Sequence, residues 1–217
     1  MRSPLFVLAL GLISPAPIAC AGEMTPTHFQ QVSLESFKTT EGVLKPGQKE
    51  GQVLVDVPKM RAVVPSSSSS VAELHFTYLG PTRRQLPLAS GENRLQVGLK
   101  LRAQDACNLA YVMWRLAPEP GLVVSIKSNP GDHDSDSCGN RGYTNLEPRQ
   151  AVPVPLIVKG DSHVLRAEQE GKVLRVFADG ILVWEGELPR EALALKGPVG
   201  LRSDNGRFEL EMFALQP

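Results

Sequence analysis

Several things are scarce or missing in this chain of 217 residues, and each absence narrows what it does. Net charge is the first: Lys and Arg together number 23 and so do Asp and Glu. A general electrostatic hold on nucleic acid or on an anionic membrane is therefore not indicated, and only a local basic patch stays open. Cysteine is scarce, with three in all, and Cys107 and Cys138 do not stand in the C-x-x-C spacing of a structural zinc site. No apolar run approaches the ~20 residues of a membrane-spanning helix, so no transmembrane segment is expected. There is no G-x-S-x-G elbow, no phosphate loop, no H-E-x-x-H and no aromatic–basic nucleic-acid motif. A helical period is nowhere sustained. What the chain does have is turn chemistry, with 19 Gly and 18 Pro. Its length suits one all-β domain, since sandwiches commonly reach ~200–250 residues as a single unit.

The first 21 residues read as a secretory signal peptide. Arg2 supplies the positive start, Leu5 to Ile13 a short apolar stretch, Pro15 and Pro17 the helix break, and Ala19-Cys20-Ala21 the small residues a peptidase reads. Cleavage after Ala21 and a secreted, periplasmic or cell-envelope location are the preferred expectation. The alternative is an outer-membrane lipoprotein with a lipid anchor on Cys20, although Pro17 stands where that signal usually carries Leu. Either way Cys107 and Cys138 remain, and an even pair in an exported chain is most simply a disulfide. Two free buried thiols are the other reading.

Residues 22–49 are polar and lack sustained periodicity, whereas 50–217 carry the marks of a single domain. Val53, Val55 and Val57 share one face of a short strand. Five serines, Ser66–Ser70, read as a polar loop between strands rather than a linker. Leu74, Phe76 and Tyr78 alternate with polar residues, as do Leu95, Val97, Leu99 and Leu101, and Phe208, Leu210 and Met212 near the end. Ala110–Leu116 is apolar on both faces, which predicts a central strand covered on both sides. Asp179-Gly180 predicts a two-residue hairpin, and Pro189–Leu195 is the one helical turn expected. The predicted fold class is all-β, a two-sheet antiparallel β-sandwich. Period-two alternation further predicts that Arg94, Gln96, Lys100, Glu209 and Glu211 face solvent.

The stretch His163–Ala214 carries a more specific pattern, H-x-L-R-x-E, then L-R-V, D-G and L-V, followed by G-P-V-G-L-R-S-D-N-G-R-F. In this it resembles the closing strands of the concanavalin A-like, or laminin G-like, jelly-roll superfamily, with a weaker likeness back to Val71. The resemblance implies an exported glycan- or protein-binding module. It does not fix a chemistry, because lectins, glucanases, lyases and adhesion modules share the fold. The glucanase E-x-D-x-x-E triad is missing: Glu209 and Glu211 share a face but lack a third carboxylate. The Y-F-K-x-G strand of the alginate-lyase branch and the legume-lectin metal motifs are missing too.

The candidate site residues lie around Ser128–Tyr143. Asp132, Asp134 and Asp136 form D-x-D-x-D, the opening of many calcium loops. Ser137 and Tyr143 stand where an EF-hand needs Gly and Glu, so a looser Ca2+ site, with Asn140 or Asn145 adding an oxygen, competes with a solvated acidic loop pinned by Cys138. His133, Arg141 and Tyr143 are suited to acid, charge-neutralising and base roles over a groove. Trp114 has an indole face fit for a sugar ring and stands beside Arg115 and Tyr111, although core packing is the commoner use of such a residue. Trp184 reads as core, and Arg202–Arg207 as hairpin chemistry. The expectation is a non-catalytic carbohydrate-binding or adhesion-like module that takes a polysaccharide or other glycan near Trp114, Arg115, Arg141 and Tyr143. A polysaccharide hydrolase or lyase and an envelope protein–protein module are the alternatives.

Overall fold

A computed structural model describes residues 28–68 and 70–216. The signal-peptide and Cys20 expectations fall on residues outside that range. Among the described residues the chain forms two stacked antiparallel sheets. The nine-stranded sheet runs β11 (Gln150–Ala151), β14 (Ile181–Glu187), β13 (Val173–Ala178), β12 (Ser162–Glu170), β6 (Val71–Pro81), β16 (Gly206–Gln216), β4 (Val53–Val55) and β3 (Lys45–Pro46), with β1 (His28–Gln31) also paired to β16. The seven-stranded sheet runs β10 (Tyr143–Asn145), β9 (Gly121–Lys127), β8 (Leu109–Ala117), β7 (Leu95–Leu101), β15 (Gly200–Asp204), β5 (Lys59–Val63) and β2 (Lys38–Glu41). Two short α-helices, α1 (Ser135–Cys138) and α2 (Arg190–Ala194), and a 3-10 turn at Leu34–Ser36 complete it.

The core lies between the sheets and follows the period of two. Leu74, Phe76, Leu165, Leu174, Val176, Phe208, Leu210 and Met212 from one sheet meet Met60, Val97, Leu99, Val112, Trp114, Val124 and Leu201 from the other. The Asp179-Gly180 turn forms as its sequence requires: both residues have positive φ, 52° and 80°, which matches the twist of the β13–β14 hairpin. Helix α2 occupies the turn expected at Pro189–Leu195.

The segment 28–49 is less irregular than its sequence suggests. It contributes β1, β2 and β3, all of them strand partners at sheet edges. These strands are exposed along their length, so they carry no apolar alternation to read.

One burial expectation fails. Arg94, Glu209 and Glu211 are half-buried on outward faces, but Gln96 and Lys100 are buried, at 2% and 4% exposure. β7 is covered on both sides because its second face is the floor of a groove rather than a flat solvated surface.

Candidate functional site

The outer face of the seven-stranded sheet is hollowed into a groove of about 590 Å³, within the ~300–1,000 Å³ typical of ligand sites. Its floor is built from every second residue of adjacent strands: Gln96 and Lys100 of β7, Tyr111, Met113 and Arg115 of β8, Ser125 and Lys127 of β9, and Arg202 of β15. Gly98 lets that floor close up. A Cβ there would sit 2.1 Å from the Val112 carbonyl oxygen and 2.8 Å from the Met113 Cα, so only glycine admits the packing. Lys59, Arg61 and Glu41 form one side, and Tyr143 and Asn145 of edge strand β10 the other. The α1 region closes one end with Ser135, Asp136, Gly139 and Asn140; residues Leu88–Glu92 border the other.

Beneath the floor a buried ionic network fixes the cations. Asp204, 1% exposed, accepts from Arg61 Nη2 at 2.6 Å, Gln96 Nε2 at 2.7 Å and Arg202 Nε at 2.9 Å. Burial alone would raise its pKa, but Arg202, Arg61 and Gln96 hold the carboxyl down at about 2. Arg61 also donates to the Met60 and Ser203 carbonyls, both at 2.8 Å. Arg202 lies over the Tyr111 ring, 4.8 Å from its centroid, and reaches the Tyr143 hydroxyl at 3.4 Å. The two tyrosines stack with centroids 6.1 Å apart and planes 20° off parallel. Burial pushes the Tyr111 phenol up to about 12. Tyr143, 39% exposed, goes the other way: burial raises its pKa, yet Arg202 and Lys127 lower it on balance. Lys127 Nζ lies 5.2 Å from the Tyr143 centroid and donates to the Gly139 carbonyl at 2.9 Å.

Cys107 and Cys138 are bonded, with Cα atoms 5.9 Å apart, and tie the turn before β8 to α1. This anchors the groove's end wall. Of the candidate residues, Tyr143 and Arg115 line the groove, and Arg115 Nε is buried without a hydrogen-bond partner among the described residues. Trp114 does not. It is fully buried, points between the sheets, packs edge-on against Phe76 at 5.7 Å and donates to the Pro155 carbonyl. Its strand alternates, and Trp114 shares its face with Ala110 and Val112 rather than with Tyr111. Arg141 also stays out of the groove, bracing its own loop through Asp132 and the Cys138 carbonyl.

The D-x-D-x-D run does not converge on a cation position. Asp132 pairs with Arg141 at 3.1 Å. Asp134 caps α1, accepting from the Ser137 amide and hydroxyl, both at 2.9 Å. Asp136 turns toward the groove. Among the described residues no group of three or more acidic, His or Cys side chains is placed to hold a metal. His133 is paired with Asp105 at 2.9 Å. The residues that sequence reasoning missed are Gln96, Lys100, Lys127, Arg202 and Asp204. The available signal was their shared parity on strands whose opposite parity is apolar; Arg202–Asp204, read as turn residues, are in fact strand β15.

No protein-family model and no curated protein matches the sequence. Solved structures do match the fold. A carbohydrate-binding module, CBM66 from Bacillus subtilis, superposes with a TM-score of 0.58 at 14% identity, covering 84% of this chain and 96% of that one. The carbohydrate recognition domain of Emp46p gives a TM-score of 0.50 at 12% identity, covering 83% and 88% respectively. At such identities the likeness is one of fold: a two-sheet antiparallel sandwich.

Proposed function

We propose that the protein is an exported, non-catalytic carbohydrate-binding module of concanavalin A-like fold, and that it takes a glycan along the groove on its seven-stranded sheet. The observation that carries this reading is the groove itself, whose polar floor is held rigid by the Asp204 network and flanked by a partly exposed Tyr143 ring. An aromatic face beside fixed hydrogen-bonding groups matches a pyranose, which has apolar C–H faces and a rim of hydroxyls. Two solved structures of similar fold are a carbohydrate-binding module and a carbohydrate recognition domain, which supports the same reading. Export through a leader ending at Ala21 is part of the proposal, supported by the Cys107–Cys138 disulfide, since such bonds persist in oxidising compartments. A lipid anchor at Cys20 is the variant of that proposal. The test is a glycan array probed with the chain lacking residues 1–21, with and without calcium. Binding to a defined glycan set is expected; no binding in either condition contradicts the reading.

One observation favours a second reading, a polysaccharide lyase on the same groove. Tyr143 has a phenol of lowered pKa, because Arg202 and Lys127 outweigh its burial, and so suits a general base beside cations that would neutralise a substrate acid. Incubation with uronate polymers tests it: unsaturated uronide product, seen by its ultraviolet absorbance and lost in Tyr143→Phe, would establish the enzyme.

A further inference from the structure

The chain as a whole is neutral, with 23 basic and 23 acidic residues, but the groove is not. Seven of its lining side chains are Lys or Arg and three are Asp or Glu. Two of these acids are spent at the margins, Glu41 lying 3.8 Å from Arg61 and Glu92 pairing with Arg94, and the third, Asp136, stands at the α1 end of the groove. Asp204 below the floor is shared by Arg61 and Arg202. Lys100, Arg115 and Lys127 have no carboxylate partner among the described residues.

Lys100 is the most telling. The residue is buried, at 4% exposure, it lines the groove, and its side chain makes no hydrogen bond or ion pair among the described residues. Strand pairing sets it beside Tyr111 of β8 and Gly200 of β15. The charges that act on it are Arg61 of β5 and Arg202 of β15, both repulsive, against Glu41 of β2 alone. Burial, then those two guanidiniums, bring its pKa down to about 8. An ammonium held without a counter-ion costs a fold stability, and such a cost falls away when a ligand supplies the anion.

We propose that the occupant of the groove is an acidic saccharide, carrying a carboxylate or a sulfate, whose anionic group docks on Lys100, on the side of Arg202 and Arg61, while its ring lies along Tyr143. The inference rests on the glycan-binding reading above and narrows it to a ligand class. A neutral sugar offers Lys100 hydroxyl acceptors but no counter-charge; an acid completes the set of charges that Asp204 leaves unmatched.

The test is a titration of the full chain without its leader against oligogalacturonate, sulfated heparin-type oligosaccharides, neutral cello- and xylo-oligosaccharides, and a single-stranded oligonucleotide. The expected result is that one or both acidic classes bind about tenfold or more tighter than the neutral ones, the scale of one hydrogen bond to a charged group, and that this affinity weakens with added salt. Which acidic class binds names the acid. Lys100→Met loses about tenfold or more of that affinity. Arg175→Gln, which removes one charge from the outer face of the opposite sheet, retains it. Circular dichroism and a thermal melt confirm that each variant is folded. Equal binding of neutral and acidic oligosaccharides, lost in Tyr143→Ala, overturns the acidic class and leaves the glycan reading standing. Acidic binding undiminished in a folded Lys100→Met overturns the docking position. Preference for the oligonucleotide, or no binding of any saccharide, overturns the inference together with the glycan reading.

Discussion

Replacing Lys100 by Met should make this protein more stable, and the gain should depend on pH in a defined way. The perturbation keeps the aliphatic stem that packs in the floor and removes the ammonium. The folded-state pKa of Lys100 is about 8 against an ordinary 10.5, and each unit corresponds to ~1.4 kcal/mol. Below about pH 8 the lysine is charged in both the folded and the unfolded chain, and the folded state bears a cost on the order of 3 kcal/mol. Between about 8 and 10.5 the unfolded chain binds the proton and the folded chain has released it, so wild-type stability rises with pH through Lys100. Above that window the lysine is neutral in both states and the cost is gone. Urea unfolding of both proteins at pH 7, 9 and 11 measures this. The variant should lead by roughly 3 kcal/mol at the first pH and lose that lead by the last. A variant that is no more stable at neutral pH, or whose advantage does not change with pH, would refute the claim that Lys100 is held charged against the grain of the fold.

The remaining predictions concern the frame around the groove. Replacing Cys107 and Cys138 by Ser opens a link of sequence separation 31, and the chain-entropy model puts the loss at about 3–4 kcal/mol; an unchanged melting temperature would contradict it. Asp204→Asn strands the buried Arg202 guanidinium and the partly buried Arg61 and should destabilise by about 3–5 kcal/mol, read as a shift in the urea midpoint. In the wild type the same group, held at about 2 against an ordinary 3.8, contributes stability above about pH 4 that disappears as pH falls through 2, so the variant should lack that acid limb. Trp114→Ala empties a core position and should cost about 3–5 kcal/mol without changing affinity per folded molecule, whereas lost binding at full stability would return Trp114 to the site.

The sandwich was legible because its core obeys a period of two and its hairpins carry their own turn residues. Phe208, Leu210 and Met212 state which face is buried, and Asp179-Gly180 states where the chain reverses. The site was legible only in part. A buried apolar residue declares itself by type, but Lys100 and Gln96 on an alternating strand look like any solvated pair. The walls at α1, β10 and β2 convert their face into a groove. Trp114 misled for the complementary reason: its type suits a sugar site, but its strand parity with Ala110 and Val112 places it inside. The edge strands β1, β2 and β3 were invisible because exposed strands are held by backbone hydrogen bonds, which leave no apolar pattern. Asp132, Asp134 and Asp136 had the spacing of a calcium loop, yet a helix cap and an ion pair with Arg141 use two of those carboxylates.

The account stands or falls on which face of the sandwich meets the ligand. Backbone amide shifts recorded by nuclear magnetic resonance, during titration with a saccharide selected on the glycan array, locate it directly. The account predicts the largest changes along β8, β9, β10 and β15, at Arg115, Lys127, Tyr143 and Arg202, with little change on β13 and β14. Shifts concentrated on the opposite sheet would contradict it.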